Sequence, residues 1–199
     1  GAGCVAVPIN PTSPVPEVQR ELAAIGARAV IAGPSAKATV AGLDRATLPV
    51  LETVILSQGA DIPGAVHLDD LVSSAPAPLV EREADDLAVL IFTSGTAGSP
   101  KAAMLTHGNL LANLEQCQAH PGRYQGADDV VFGVLPFFHI YGQTVVMCAG
   151  LRAGASIVTM ARFDLEPFLA LIQQYRATRA FVAPPIVVAF AKHPLIDTY

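Results

Sequence analysis

The stretch Thr93-Ser94-Gly95-Thr96-Ala97-Gly98-Ser99-Pro100-Lys101 holds four hydroxyl side chains, two glycines and a closing lysine. Glycine lets backbone N–H groups turn into a concavity that attracts anions. Hydroxyls add rotatable donors, and Lys101 adds a full positive charge on a flexible stem. Such a set suits a polyphosphate; the other reading is a plain surface turn, since Gly/Ser/Thr loops are common. It is not a Walker A loop, which needs Gly-Lys followed by Ser or Thr and runs straight into a helix. Pro100 precedes the lysine here, and Ala102-Ala103-Met104-Leu105 reads as a short extended segment. A hairpin-like crossing is therefore expected.

A second candidate is His139, at the end of Leu135-Pro136-Phe137-Phe138-His139. It reads either as a packed, hydrogen-bonded histidine or as a binding residue. His107 lies beside Gly108 at a helix start, where capping or surface placement is expected. His67, His120 and His193 have no partner pattern and read as surface residues. Asp128-Asp129 reads as a solvated turn rather than a metal site, and Glu81, Glu83, Asp85 and Asp86 as a solvated acidic face. No Gly-x-Ser-x-Gly elbow supports hydrolase chemistry. Cys4, Cys117 and Cys148 lack metal or disulfide spacing and read as small buried hydrophobes in a reducing cytoplasm.

The elements that must carry these residues alternate between strand and helix. Cys4–Ile9 reads as a buried strand, followed by a helix with Ser13 as N-cap, prolines in its first turn and Gly26 as its stop. Val15, Val18, Leu22 and Ile25 line one face of that helix. Ala29–Ala32, Thr53–Leu56 and, more weakly, Val66–Leu68 read as strands, with a helical turn over 69–72. Ser73–Pro78 reads as an exposed connection. Leu87–Phe92 is a strongly apolar strand feeding the glycine-rich loop. A helix over 106–119 follows, with Leu110, Leu111, Leu114 and Cys117 on its buried side. Then come a strand over 130–135, a helix over 140–151, a strand over 155–160 and a helix capped by Asp164 and buried through Leu165, Phe168, Leu169, Ile172 and Tyr175. A last strand covers 179–183, and Pro184-Pro185 opens a final helix. This rhythm predicts an α/β fold with mostly parallel sheets and helices on both faces. Ligands in such sheets sit beyond the carboxyl ends of strands, so Phe92 and Leu135 mark the ends of interest. Two portions are expected, 1–78 as a βαβ-type part and 79–199 as the part carrying the loop, both within one truncated domain.

Of 199 residues, 52% are apolar and 15% charged, with a net charge of −5. The acidic balance argues against nucleic-acid binding. The most apolar stretch, 144–160, is interrupted by Arg152 and too short for a membrane span. No basic signal-peptide region opens the chain. Both ends read as cut ends, and the apolar excess leads one to expect self-association of a fragment.

Thr93–Lys101 resembles the signature loop of the adenylate-forming superfamily, which includes acyl-CoA synthetases, luciferases and peptide-synthetase adenylation domains. Met104–Leu110, Leu135–Gly142, Pro8–Pro11 and Phe181–Ile186 resemble further segments of that family, in family order. Ala102 stands where the family usually has glycine, and Ala97 where Thr is common. The resemblance implies part of a large N-terminal domain, with the ribose-gripping aspartate, the Mg²⁺ ligand and the catalytic lysine lying beyond Tyr199; no catalytic or metal residue is assigned within the chain. It implies ATP, Mg²⁺ and CoA as cofactors and a small carboxylic acid as substrate. Thr93, Ser94, Gly95, Thr96, Gly98 and Lys101 would bind the ATP phosphates, and His139 the acid. The implied activity is an AMP-forming acid–thiol ligase, with a medium- or long-chain fatty acid as first expectation and an aryl acid such as a cinnamate as second. The isolated chain is expected to be inactive. The alternatives are a peptide-synthetase-type adenylation domain or a non-catalytic phosphate- or nucleotide-binding module.

Overall fold

The computed structural model describes residues 2–58, 62–93, 101–119 and 126–199. They form two compact units, Gly1–Glu81 with Phe92–Ala103, and Arg82–Ile91 with Met104–Tyr199.

In the first unit, Val15–Ile25 forms helix α1. Pro14 holds the N-cap position and no side chain caps it. Ser13, the expected cap, instead donates its hydroxyl to Glu17 Oε1 at 3.1 Å, so the two prolines and not a capping oxygen set the helix start. Gly26 ends α1 with φ 59°, a left-handed conformation that favours glycine. The expected strand at Cys4–Ile9 is absent apart from an isolated bridge at Ala6; with Pro8 and Pro11 nearby, few amides there can join a ladder.

Strands β1 (Ala29–Ala32), β2 (Thr53–Leu56) and β3 (Val66–His67) make a parallel sheet in the order β1-β2-β3. Val30 pairs with Val54, and Ile55 with Val66. Helices α2 (Lys37–Ala41) and α3 (Leu68–Val72) complete the unit. Val18, Leu22, Ala32, Val54 and Leu56 bury together, which is what alternate strand residues and one helix stripe must do. The segment after α3 is exposed, as its Ser/Ala/Pro composition predicts.

Strands β4 (Leu87–Thr93) and β5 (Lys101–Thr106) pair in a two-stranded sheet. A connection over 94–100 is too short for a parallel crossover, so the pair is a hairpin, as expected. Helix α4 (His107–Ala119) follows at once. Its start is a reciprocal cap: Asn109 N–H donates to Thr106 Oγ1 at 3.1 Å, and Thr106 N–H to Asn109 Oδ1 at 3.0 Å. Leu114 is its buried residue, whereas Leu111 is half exposed, contrary to the face read from spacing.

The second unit centres on strands β6 (Val130–Gly133), β7 (Ser156–Thr159) and β8 (Arg179–Ala180), parallel in the order β7-β6-β8. β6 and β8 both end earlier than expected. The helix expected over 140–151 is π-helical from Tyr141 to Cys148 and then α-helical as α5 (Ala149–Ala153). Helices α6 (Leu165–Tyr175) and α7 (Pro184–Lys192) follow. Asp164 holds the N-cap of α6, but its side chain makes no capping bond, and Tyr175 is half exposed. Phe132 of β6 and Phe168 of α6 are fully buried and meet edge to face at 4.8 Å, and Phe190 of α7 adds to the cluster at 5.4 Å.

Candidate functional site

Of the loop residues, Thr93 and Lys101 are described; Ser94, Gly95, Thr96 and Gly98 lie outside the described residues. Thr93 ends β4 and Lys101 begins β5. The Thr93 hydroxyl donates to the Lys101 carbonyl at 3.3 Å, so the hairpin is clasped where the glycine-rich connection leaves and returns. Both residues are exposed. Within the second unit, Gly108 N–H donates to Ala84 O at 2.7 Å and His107 N–H to Asp86 O at 3.0 Å. A Cβ at Gly108 would lie 3.0 Å from that Ala84 oxygen, so glycine permits the close approach. His107 serves the helix start through its backbone, in keeping with its reading as a structural position.

His139 stands in the second unit beyond the carboxyl end of β6, where a parallel sheet presents its ligands. Its backbone N–H reaches Pro136 O at 3.1 Å, which closes the turn after the strand. Its carbonyl then accepts from Gln143 N–H at 2.9 Å, and its Nδ1 accepts from Tyr141 N–H at 3.2 Å. These bonds hold the turn that leads from β6 into the π-helix, whose N-cap position is Ile140. The side chain is exposed. Gly142 makes the turn possible: a Cβ there would collide with the Pro136 carbonyl and lie 2.8 Å from Leu135 O. Tyr141 is partly exposed and meets Phe181 edge to face at 6.5 Å, so the residues after β6 and after β8 form one aromatic wall.

The π-helix carries a signal that sequence spacing missed. Thr144 Oγ1 and Gln143 Oε1 are buried with no hydrogen-bond partner among the described residues. Polar atoms so placed ordinarily find a partner. Their sign in the sequence is a polar pair, Gln143-Thr144, set at the head of an apolar run. Val146 of the same segment packs with Val131 and Ala155 in the core. π-helical turns are rare and cluster at functional sites.

Asp129 departs from its reading as a solvated turn residue. Its Oδ2 accepts from Arg179 Nε at 2.8 Å and from Gly126 N–H at 2.8 Å, and its Oδ1 from the Thr178 hydroxyl at 2.8 Å. The Thr178 hydroxyl, then the Arg179 guanidinium and the Gly126 amide, hold the carboxyl below its ordinary 3.8, against the upward pull of partial burial. These contacts fasten the amino ends of β6 and β8, opposite the end that bears His139. The cysteines also depart from expectation: Cys4 is exposed, and Cys117 and Cys148 are only partly buried. Burial pushes the Cys148 thiol up from its ordinary value, away from nucleophilic use at neutral pH.

Among the described residues, no three His, Cys, Asp or Glu side chains group to hold a metal ion, and no helix is long and apolar enough to cross a membrane.

The profile of the family described as "AMP-binding enzyme" matches residues 1–198. A 4-coumarate-CoA ligase 1 from Narcissus pseudonarcissus is 33% identical over 99% of this chain and 36% of its own length. A 4-coumarate–CoA ligase 2 from Petroselinum crispum is 45% identical over 61% of this chain and 23% of its own length. The chain thus spans about a third or less of the length of these relatives. The crystal structure of ATP-bound MatB from Rhodopseudomonas palustris superposes with a TM-score of 0.77 at 27% identity, over 96% of this chain and 36% of that one.

Proposed function

The chain belongs to the AMP-binding enzyme family, and on that premise we propose that it is part of an ATP-dependent ligase that joins a carboxylic acid to the thiol of CoA. The acid's carboxylate oxygen attacks the α-phosphorus of ATP, the bond to pyrophosphate breaks, and an acyl-adenylate forms. The CoA thiol then loses its proton and attacks the acyl carbon, and AMP departs.

The observation that carries this reading is the clasp between Thr93 and Lys101. It sets Thr93 and Lys101 at the mouth of one hairpin, where the Lys101 ammonium would meet negative charge on departing pyrophosphate; the Thr93 hydroxyl, which gives its proton to the Lys101 carbonyl, would have to turn to join it. Preorganised donors of this kind are worth about 3–4 kcal/mol each in a barrier. Ser94, Gly95, Thr96 and Gly98 join the phosphate-binding set as part of the same proposal. Mg²⁺ enters it only as the ion carried on the nucleotide. His139 is assigned to the anionic end of the acid or of its adenylate.

For the acid itself, an aromatic acid such as a cinnamate is now the better reading than the fatty acid first expected. Two relatives are named 4-coumarate ligases, and Tyr141 with Phe181 offers an aromatic wall beside His139. A cytoplasmic setting belongs to the same proposal, supported by cysteines that are all free. The test is acid-dependent ATP–pyrophosphate exchange by a family-length protein carrying this chain, across a panel of aryl and fatty acids. Exchange is expected with the aryl acids first; a silent panel would sink the reading.

A further inference from the structure

Three buried side-chain atoms of the second unit have no hydrogen-bond partner among the described residues: Gln118 Nε2, Gln143 Oε1 and Thr144 Oγ1. Gln118 stands on α4 and the other two on the π-helix, and these elements pack against each other. An ion pair between Arg152 and Glu115 ties α4 to α5, which continues the π-helix. Thr144 is only 4% exposed. A helical threonine can return its hydroxyl to the carbonyl one turn back, but Thr144 makes no such bond. A polar atom taken out of water and given nothing in return carries its full desolvation cost. Three such atoms on two packed helices call for a common partner.

We propose that the packing of α4 on the π-helix encloses a site for one water molecule, bound by Thr144 Oγ1 and by the amides of Gln143 and Gln118. The chemistry of the three atoms selects that ligand. An amide nitrogen only donates, an amide oxygen only accepts, and a hydroxyl does both. An anion would suit Gln118 Nε2 but is repelled by Gln143 Oε1, and a metal ion meets the reverse conflict. An apolar molecule answers none of the three. A small neutral molecule that both donates and accepts satisfies all of them, and a buried water typically makes about three bonds. The winding explains the place. A π-helix does not present the ridges at three- and four-residue spacing that let two α-helices interlock, so its contact with α4 is where room for a water is expected. Tyr141 opens the same π-helix, so the water would brace the segment that carries the aromatic wall.

A high-resolution crystal structure of a family-length protein carrying this chain tests the site directly. The expected result is a density peak within hydrogen-bond distance of Thr144 Oγ1 and of at least one of the two amides. No peak there, or a protein group bonded to Thr144 Oγ1, overturns the proposal. Thermal melting gives an independent reading. Thr144→Val keeps the shape of the side chain and removes the hydroxyl. A hydroxyl bonded to water is missed when it goes, so the melting midpoint should fall by about 2 °C. A hydroxyl standing alone is better replaced by a methyl, so an unchanged or raised midpoint counts against the water. Should Thr144→Val fail to fold, the wild-type density alone decides. Neither readout involves turnover, so the water site stands or falls separately from the ligase reading.

Discussion

Arg179 donates its Nε–H to Asp129 Oδ2 at 2.8 Å, while Thr178 beside it donates its hydroxyl to the other oxygen of the same carboxylate. One side chain thereby holds the start of the central strand β6 to the start of β8. The clasp lies at the sheet end away from His139, so it bears on stability and not on the chemistry.

Asp129 is therefore expected to make the fold acid-sensitive. Its folded pKa lies below 3.8, so its contribution is fully present above that value and is lost as pH falls through the lowered one. Asp129→Asn should lower stability at pH 7 by about 1–3 kcal/mol. Urea unfolding at pH 7 and pH 3 checks this. The gap between wild type and variant must narrow at the lower pH, and a constant gap would contradict the account.

Glu21 should act in the opposite sense. It is buried on α1, and burial first, with the nearby Glu17 second, raises its pKa above 4.5. A raised acid favours the fold below 4.5 and loses that contribution as pH climbs through the folded value. Glu21→Gln is expected to stabilise the protein at pH 7, by up to about 1 kcal/mol. Thermal melts at pH 4 and pH 7 should show the gain only at the higher pH.

Lys101→Ala should slow adenylation in a family-length protein by about 100- to 1,000-fold, the loss seen when one preorganised donor is removed from a developing anion. Lys101→Arg should recover only part of it, since guanidinium and ammonium differ in shape. Pyrophosphate exchange at saturating acid measures both. An alanine variant as fast as wild type would remove Lys101 from the proposed machinery.

Gly142→Val should cost about 1–3 kcal/mol, because the new Cβ has no room beside the Pro136 and Leu135 carbonyls. Calorimetry of the variant checks this. A neutral effect would mean that the turn bearing His139 yields more easily than its packing implies.

Phe132→Ala empties the centre of the aromatic cluster with Phe168 and should cost about 3–5 kcal/mol. Denaturant unfolding followed by a probe in the second unit reads it.

The sequence told more about elements than about their ends. Strands β1, β2 and β4 stood out because short apolar runs flanked by turn residues have few alternatives. Cys4–Ile9 misled for the same reason: apolar content is visible, but pairing with a distant partner is not. Helix starts were misjudged where proline competes with a capping oxygen, as at Ser13, and where a cap position is filled without the bond, as at Asp164. The candidate site was read from residue types, with Lys101 and His139 both singled out by their neighbours. Its hydrogen bonds were not legible, because the ties of Asp129 to Thr178 and Arg179 join residues 49 and 50 apart in the chain. Nor does a hydrophobic period separate an α-helix from the π-helix at 141–148.

That π-helix has an evolutionary side. Ala149 N–H reaches back to Thr144 O, five residues and not four. The segment therefore carries spare length. Deleting a single residue there would let it wind as an ordinary helix, and each residue of an ordinary helix turns the chain by about 100°. Such a deletion would swing His139 and Tyr141 around relative to α5 instead of merely shortening a loop. A length change at this point would therefore re-aim the two side chains that the proposed function sets beside the acid.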